Sequence, residues 1–210
     1  MSKFVAAIAS CLVCLLSVPA SGVSVYSTFG PGDSFNSSSG TSLGYVGGAI
    51  DSVFVQGMSF QVTEHDYYLD SVDVALSSFR GSDSVLLSVL MDNGGMPGAF
   101  LGSAVVTAPV RPARVVFAEM SGSVVLQGGN QYWLVGETIG GGVNDWWRSE
   151  PAVTGLRAYT RDGGAWQDYP ATLAAFRING TIVPEPMTLI SFGGVVGGIG
   201  AYLRRRLLVH

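Results

Sequence analysis

The stretch Leu69-Asp70-Ser71-Val72-Asp73-Val74-Ala75-Leu76 indicates the fold class of this chain. Large apolar side chains stand at every second position from Val72 to Leu76, and polar or small residues stand between them. Because successive side chains of a strand point to opposite faces, this alternation is typical of an antiparallel sheet with one buried face. Trp133 and Val135 repeat the pattern in a second segment.

The period of two recurs through residues 23–183, and no helical period does. The predicted strands are residues 23–29, 53–62, 69–79, 85–91, 100–107, 114–119, 123–126, 131–139, 145–149, 156–161 and 174–183. Breaks that contain Gly, Asn or Asp separate most of them. The pattern predicts an all-β domain over residues 23–183, a single antiparallel β-sandwich of jelly-roll type. An up-and-down barrel is the alternative.

Composition and charge narrow the class of protein. The chain has 210 residues, of which 12% are charged and 48% hydrophobic, which fits one domain with a sizeable core. Between Val23 and Val183, fourteen acidic residues stand against seven arginines, a net charge of −7. Because such a surface repels phosphate backbones, no nucleic-acid partner is expected.

Residues 1–22 have the layout of a secretory signal peptide. Lys3 is followed by an apolar stretch over residues 4–18 and by small residues at 20–22. We therefore expect export by the Sec machinery, with cleavage after Ala20 or Gly22. Two alternatives are a retained membrane anchor and a lipobox at residues 8–11.

Both cysteines of the chain, Cys11 and Cys14, fall inside this segment. Cleavage would remove them, so the mature domain is expected to have no thiol, no disulfide and no cysteine–zinc site.

The other end of the chain has three parts in order. Pro184-Glu185-Pro186 is followed by residues 187–203, which carry no charge, and then by Arg204-Arg205-Arg206. An uncharged apolar stretch before an arginine cluster predicts a transmembrane helix over residues 187–203 with its arginines in the cytoplasm.

This order of parts resembles the PEP-CTERM sorting signal, here over residues 184–210. The resemblance implies that an exosortase recognises a sorting motif made of Pro184, Glu185, Pro186, Arg204, Arg205 and Arg206. It also implies a Gram-negative host, transient anchoring in the inner membrane, and delivery to the cell surface or to the exopolysaccharide matrix of a biofilm. One departure is the extension at residues 207–210, because such tails usually end sooner.

A second resemblance concerns the domain itself. Its motifs are Tyr26-Ser27-Thr28-Phe29 with Phe35 and Asn36, the turn Asp92-Asn93-Gly94-Gly95-Met96-Pro97-Gly98, the segment Gly128-Gly129-Asn130-Gln131-Tyr132-Trp133-Leu134, and the later Trp146. Together they are similar to the extracellular choice-of-anchor domains, type R, over nearly all of residues 24–183. That family brings no established enzyme activity, so the resemblance implies location and architecture more than chemistry.

The sequence offers little for catalysis. His65, the one histidine of residues 23–183, stands in Glu64-His65-Asp66, which predicts a solvated turn rather than a metal site. The turn at residues 92–98 has a single carboxylate, which favours a structural turn over a calcium loop. We expect no catalytic residue, no metal and no cofactor. The least favoured alternative, a surface glycan hydrolase, would use two of the carboxylates Glu119, Glu137, Asp145, Glu150, Asp162 and Asp168.

Aromatic residues concentrate in the last third of the chain, where Trp133, Trp146, Trp147, Tyr159, Trp166 and Tyr169 all lie. The candidate carbohydrate-binding residues are Trp146, Trp147, Trp166, Asn144 and Arg148. Adjacent tryptophans in a strand point to opposite faces, so one of Trp146 and Trp147 is expected in the core and the other on the surface. The leading hypothesis is a non-enzymatic surface or matrix protein, and a carbohydrate-binding module for matrix polysaccharide is the alternative.

Overall fold

A computed structural model describes residues 22–46, 51–79, 84–120 and 123–184. These residues form thirteen strands and one 3₁₀ turn at Pro31–Asp33. The strands are β1 (Val23–Ser27), β2 (Phe35–Val46), β3 (Ser52–Gln61), β4 (Tyr67–Ser78), β5 (Ser84–Asp92), β6 (Pro97–Thr107), β7 (Arg114–Glu119), β8 (Val125–Leu126), β9 (Gln131–Ile139), β10 (Val143–Ser149), β11 (Thr154–Arg161), β12 (Gln167–Thr172) and β13 (Phe176–Ile182).

Every pair of named strands is antiparallel, which confirms the prediction of an all-β, antiparallel domain. The sheet is continuous in the order β1-β13-β4-β10-β2-β3-β9-β5-β6. Strands β7 and β8 branch from β4, and β11 branches from β3 and carries β12 at its outer edge.

The sheet curves so that strands far apart in its order meet across a shared core. Phe60 of β3 packs against Phe176 of β13 at a ring-centre distance of 6.2 Å, and Trp146 of β10 packs against the same ring at 6.1 Å. Val72, Val74 and other apolar residues of the alternating stretch are fully buried in this core. The period of two on β4 therefore marks the side chains of the main core, but the prediction of a single buried face is wrong, because Asp73 and Ala75 on the other face are buried as well. Trp133 and Val135 of β9 likewise lie in a separate buried cluster, while Tyr132 and Leu134 join the main core.

Two strands lie outside the predicted ones. Strand β2 is rich in Ser and Gly, which have low strand propensity, and it forms because β10 pairs with it from Phe35 to Gly44. Strand β12 contains Pro170 and pairs only with β11, so it is an edge strand, where a proline is tolerated.

The two predicted polar turns are both present. Residues 64–66 form an exposed bend ahead of β4. At residues 92–98 the Asn93 amide donates to the Met96 carbonyl oxygen at 2.9 Å, and Gly94 and Gly95 adopt φ values of 65° and 90°. Glycine takes such left-handed conformations without the steric cost of a Cβ atom.

The terminal predictions fall largely outside the described residues. These are the signal peptide up to residue 21, the sorting motif from Glu185 onward and the transmembrane helix at 187–203. Within the part of the chain that the structure describes, no helix is long and apolar enough to cross a membrane.

Candidate functional site

The three tryptophans predicted to form a sugar platform lie in three separate places. Trp146 is 0% exposed and belongs to the main core, where its indole Nε1–H donates to the Ala175 carbonyl oxygen at 3.1 Å. It therefore presents no ring face to solvent.

Trp147 points to the opposite face of β10, as expected for adjacent strand residues, but that face is covered too. Phe29, Phe35 and Ala175 pack in the same cluster, and the side chain is only 8% exposed. Its indole Nε1–H donates to Ser77 Oγ at 3.0 Å. The expectation that one of the two tryptophans is exposed is therefore wrong, because both faces of β10 are packed.

The remaining predicted residues are also dispersed. Trp166 is half-buried in a cluster with Trp133, Val135 and Ala158. Asn144 is fully buried and donates to Thr138 Oγ1 at 3.0 Å. None of the predicted residues lines the groove described next. Arg148 acts near it only through its positive charge, which lowers the pKa of Arg157.

A different aromatic group is brought together on β3, β11 and β12. In the antiparallel register, Phe54 of β3 lies opposite Arg161 of β11, and Gln56 lies opposite Tyr159. Tyr169 of β12 lies opposite Arg157 in the next pair. Residues directly opposite each other, and residues two apart on one strand, share a face of the sheet.

These side chains line an open groove with a volume of about 580 Å³, bounded by Phe54, Gln56, Tyr159, Arg161 and Tyr169. Along β3 the groove face continues into the core, since Met58 and Phe60 are the next residues of the same face. The groove thus adjoins the core, and it is lined by three half-buried rings, the buried Gln56 and the exposed Arg161.

The three rings form a connected row. Phe54 and Tyr159 have ring centres 6.2 Å apart, and Tyr159 and Tyr169 have ring centres 5.9 Å apart at an interplanar angle of 76°. Both distances lie in the range of favourable aromatic contacts, which hold the rings in place. The Tyr159 hydroxyl additionally bonds to Gln167 on the neighbouring strand.

Polar groups at the groove are fixed by the strands beside it. Arg161 Nε donates to Ser52 Oγ at 2.6 Å, and the same guanidinium faces the Asp162 carboxylate at 3.6 Å. Asp162 accepts the Val53 amide proton at 2.8 Å, and this hydrogen bond is the main reason why the pKa of its carboxyl is lowered. Gln56 reaches the Ser42 carbonyl oxygen of β2 at 3.4 Å.

Arg157 lies next to the groove on the same face of the sheet, opposite Met58 of β3 and Tyr169 of β12, and is only 3% exposed. Its Nη2 donates to Thr41 Oγ1 at 2.5 Å and to Gln56 Oε1 at 3.4 Å, and its guanidinium carbon lies 5.3 Å from the centre of the Tyr169 ring. Burial lowers the pKa of this guanidinium, the Tyr169 hydroxyl opposes that shift, and the nearby positive charge of Arg148 adds to it.

Concave sites with apolar walls and a few fixed polar groups are the usual form of small-molecule binding sites. Here aromatic rings alternate with an amide and guanidinium groups, a set that can cover the apolar face of a sugar ring and hydrogen-bond its hydroxyls. The sequence analysis included Tyr159 and Tyr169 among the late aromatics but missed Phe54. The one available signal was that Phe54-x-Gln56 and Tyr159-x-Arg161 each repeat an aromatic–polar pair at a spacing of two.

Comparisons with known proteins identify no relative of this chain, since no protein-family model and no curated protein matches it. The resemblances to PEP-CTERM tails and to choice-of-anchor domains therefore stay predictions from the motifs.

Proposed function

We propose that this chain is an exported, non-enzymatic surface or exopolysaccharide-matrix protein whose β-domain binds polysaccharide in the groove lined by Phe54, Tyr159 and Tyr169. The observation that carries the binding part is the row of three half-buried rings beside Gln56 and Arg161 in an open groove. In this proposal, sugar rings lie against the aromatic faces, while the amide and the guanidinium hydrogen-bond the hydroxyls.

Binding is favoured over hydrolysis by the chemistry of the lining. Most glycosidases place two carboxyl groups on either side of the scissile bond. The residues that line this groove supply three rings, an amide and a guanidinium instead. Asp162, a neighbouring carboxylate, is engaged with the Val53 amide and with Arg161.

The binding part is tested by electrophoresis of the full chain through gels that contain soluble polysaccharides, neutral and acidic. Retardation by at least one polymer is expected, and Phe54→Ala should weaken that binding about tenfold, the effect of losing about 1.4 kcal/mol. Phe117→Ala is the matched control, because Phe117 is 62% exposed on β7, a strand that pairs only with β4. Equal weakening by both variants, or no retardation by any polymer, would refute the groove as a polysaccharide site.

The export part rests on the terminal motifs. In the proposal, the Sec machinery exports the chain, a transmembrane helix at 187–203 holds it in the inner membrane, and an exosortase acts at the Pro184-Glu185-Pro186 tail. The domain in between is of jelly-roll type. The mass and C-terminus of the mature protein in its host test this: a chain that ends near residues 184–186 outside the inner membrane is expected, and an intact tail in the inner membrane would contradict sorting.

A further inference from the structure

Positive charge gathers at the groove although the domain as a whole is acidic. Two of the seven arginines between Val23 and Val183, Arg157 and Arg161, lie at the groove, and the charge of a third, Arg148, acts on Arg157. Arg161 lines the groove. Arg157 contacts two of the lining residues, Gln56 and Tyr169.

Arg157 is a buried cation with no anionic partner in the described part of the chain. Among the described residues it makes no ion pair, and its Nε is buried with no hydrogen-bond acceptor. Its recorded partners are the hydroxyl of Thr41, the amide oxygen of Gln56 and the ring of Tyr169, all of them neutral. A buried charge is costly unless it is paired, so this side chain lacks the compensation that a buried arginine normally has.

Arg148 adds to the imbalance. It is half-buried on β10, its Nε is likewise buried without an acceptor in the described part of the chain, and its charge acts on Arg157. Neighbouring like charges repel, and neither arginine is among the described ion pairs. The positive charge of Arg157 and Arg148 is therefore uncompensated within the described part of the chain, whereas the half-buried Arg177 on β13 has two carboxylates, Asp73 and Asp33, at 2.9 and 2.8 Å.

We propose that the groove takes an anionic sugar, with the carboxylate of a uronic-acid unit bound above Arg157 and beside Arg161, and with the sugar ring against Tyr159 and Tyr169. This inference rests on the proposed function and narrows its ligand to polyuronates. The carboxylate supplies the negative charge that Arg148 and Arg157 lack, and Arg161 at the wall donates to it directly. The aromatic row then selects a carboxylate carried on a sugar ring over one carried on a flexible chain.

The test measures the affinity of the full chain for three polyuronates, polygalacturonate, polymannuronate and polyglucuronate, each against its fully methyl-esterified form. Esterification removes the charge and keeps the backbone of the polymer. At least one polyuronate is expected to bind at least tenfold more tightly than its ester. Arg161→Gln should reduce the ratio of the two affinities to about twofold or less, because it weakens binding of the polyuronate far more than binding of the ester. Arg157→Gln should do the same where thermal unfolding shows that the variant folds.

The control is Arg114→Gln, since Arg114 is exposed on β7 and lies in a strand that pairs only with β4. If Arg114→Gln loses the preference for the polyuronate over its ester to the same extent, the preference reflects general attraction between charges, and the inference is overturned. Equal binding of each polyuronate and its ester overturns it as well but leaves the proposed function intact. Polyglutamate that competes as well as the polyuronate would overturn the sugar part, and no binding of any polysaccharide would refute the proposed function itself.

Discussion

The guanidinium carbon of Arg157 lies 5.3 Å from the centre of the Tyr169 ring, across a directly opposed pair of β11 and β12. The ring lines the groove and packs against the buried guanidinium. One side chain thus takes part both in the stability of the domain and in the surface that we propose for the ligand.

Replacing Tyr169 separates these roles. Tyr169→Phe keeps the ring, and its free energy of unfolding should stay within about 0.5 kcal/mol of the wild type. Tyr169→Leu loses the cation–π contact, so it should lose about 1 kcal/mol of stability and about tenfold in polysaccharide affinity. Urea unfolding and gel retardation measure the two effects.

Tyr68→Leu is the matched control for this substitution, because Tyr68 is 43% exposed on β4. It should leave polysaccharide binding unchanged. Equal losses of affinity in Tyr169→Phe and Tyr169→Leu would show that the hydroxyl, and not the ring, makes the contact.

Arg148→Met tests whether the positive charge of Arg148, which acts on Arg157, is uncompensated. Methionine keeps much of the volume and removes a half-buried charge whose Nε has no acceptor in the described structure. We expect the free energy of unfolding to stay the same or to rise by about 1 kcal/mol, as for other poorly paired buried charges. Urea unfolding measures the change.

Arg177→Met is the comparison, since its guanidinium bonds to Asp73 and Asp33 and its loss leaves the buried Asp73 without its cation. We expect Arg177→Met to lower the free energy of unfolding by about 2 kcal/mol. A similarly large loss of unfolding free energy for Arg148→Met would mean that Arg148 is paired, and it would argue against uncompensated positive charge at Arg148 and Arg157.

Substitutions of the tryptophans should lower stability rather than sugar affinity, the opposite of what a sugar platform would show. Trp146→Ala should lower the free energy of unfolding by about 3–5 kcal/mol, because it empties a fully buried site and removes the hydrogen bond to the Ala175 carbonyl oxygen. Urea unfolding measures the change.

Trp166→Ala should lower the free energy of unfolding by about 1–2 kcal/mol. It should leave polysaccharide binding unchanged, because Trp166 packs with Trp133 rather than in the groove. Loss of binding in a folded Trp166→Ala variant would move the site to that cluster.

Asp92 predicts a pH dependence of stability. Burial by itself would raise the pKa of this carboxyl, but hydrogen bonds from Trp133 Nε1 at 2.7 Å, Gln131 Nε2 at 2.8 Å and the Gly95 amide at 3.1 Å outweigh it. The pKa is therefore lower in the folded chain than its unfolded value of about 3.9. A lowered pKa stabilises the fold above the unfolded pKa, and that contribution is lost as the pH falls through the folded value.

The measurement compares the wild type with Asp92→Asn by urea unfolding from pH 6 down to pH 2.5. The stability difference should be constant above about pH 5 and should shrink below about pH 4, in line with the unfolded pKa of about 3.9. A difference that stays constant over the whole range would contradict a role for the ionised carboxylate.

The sequence predicted the fold better than the site, and particular residues show why. The alternation from Val72 to Leu76 sets which side chains face inward, and this is a local property of one strand. Whether an outward face is covered depends on other strands, so the burial of Trp147 by Phe29 and Phe35 could not be read from its own neighbours.

The groove was missed for a related reason. Phe54 and Tyr159 are more than one hundred residues apart in the sequence and meet only through the register in which Gln56 lies opposite Tyr159. Strand propensity does not determine such a register, because pairing between distant strands depends on the whole sheet.

The most direct test of the central claim, a polysaccharide site in this groove, is an NMR titration of the ¹⁵N-labelled chain with a tetrasaccharide cut from a polysaccharide that retards the chain in the gel assay. We predict that the chemical-shift changes concentrate on the backbone amides of Gln56, Tyr159 and Tyr169 and on the side-chain Nε–H of Arg157. Changes that concentrate around Trp166 and Trp133, or no change at saturating tetrasaccharide, would contradict the account.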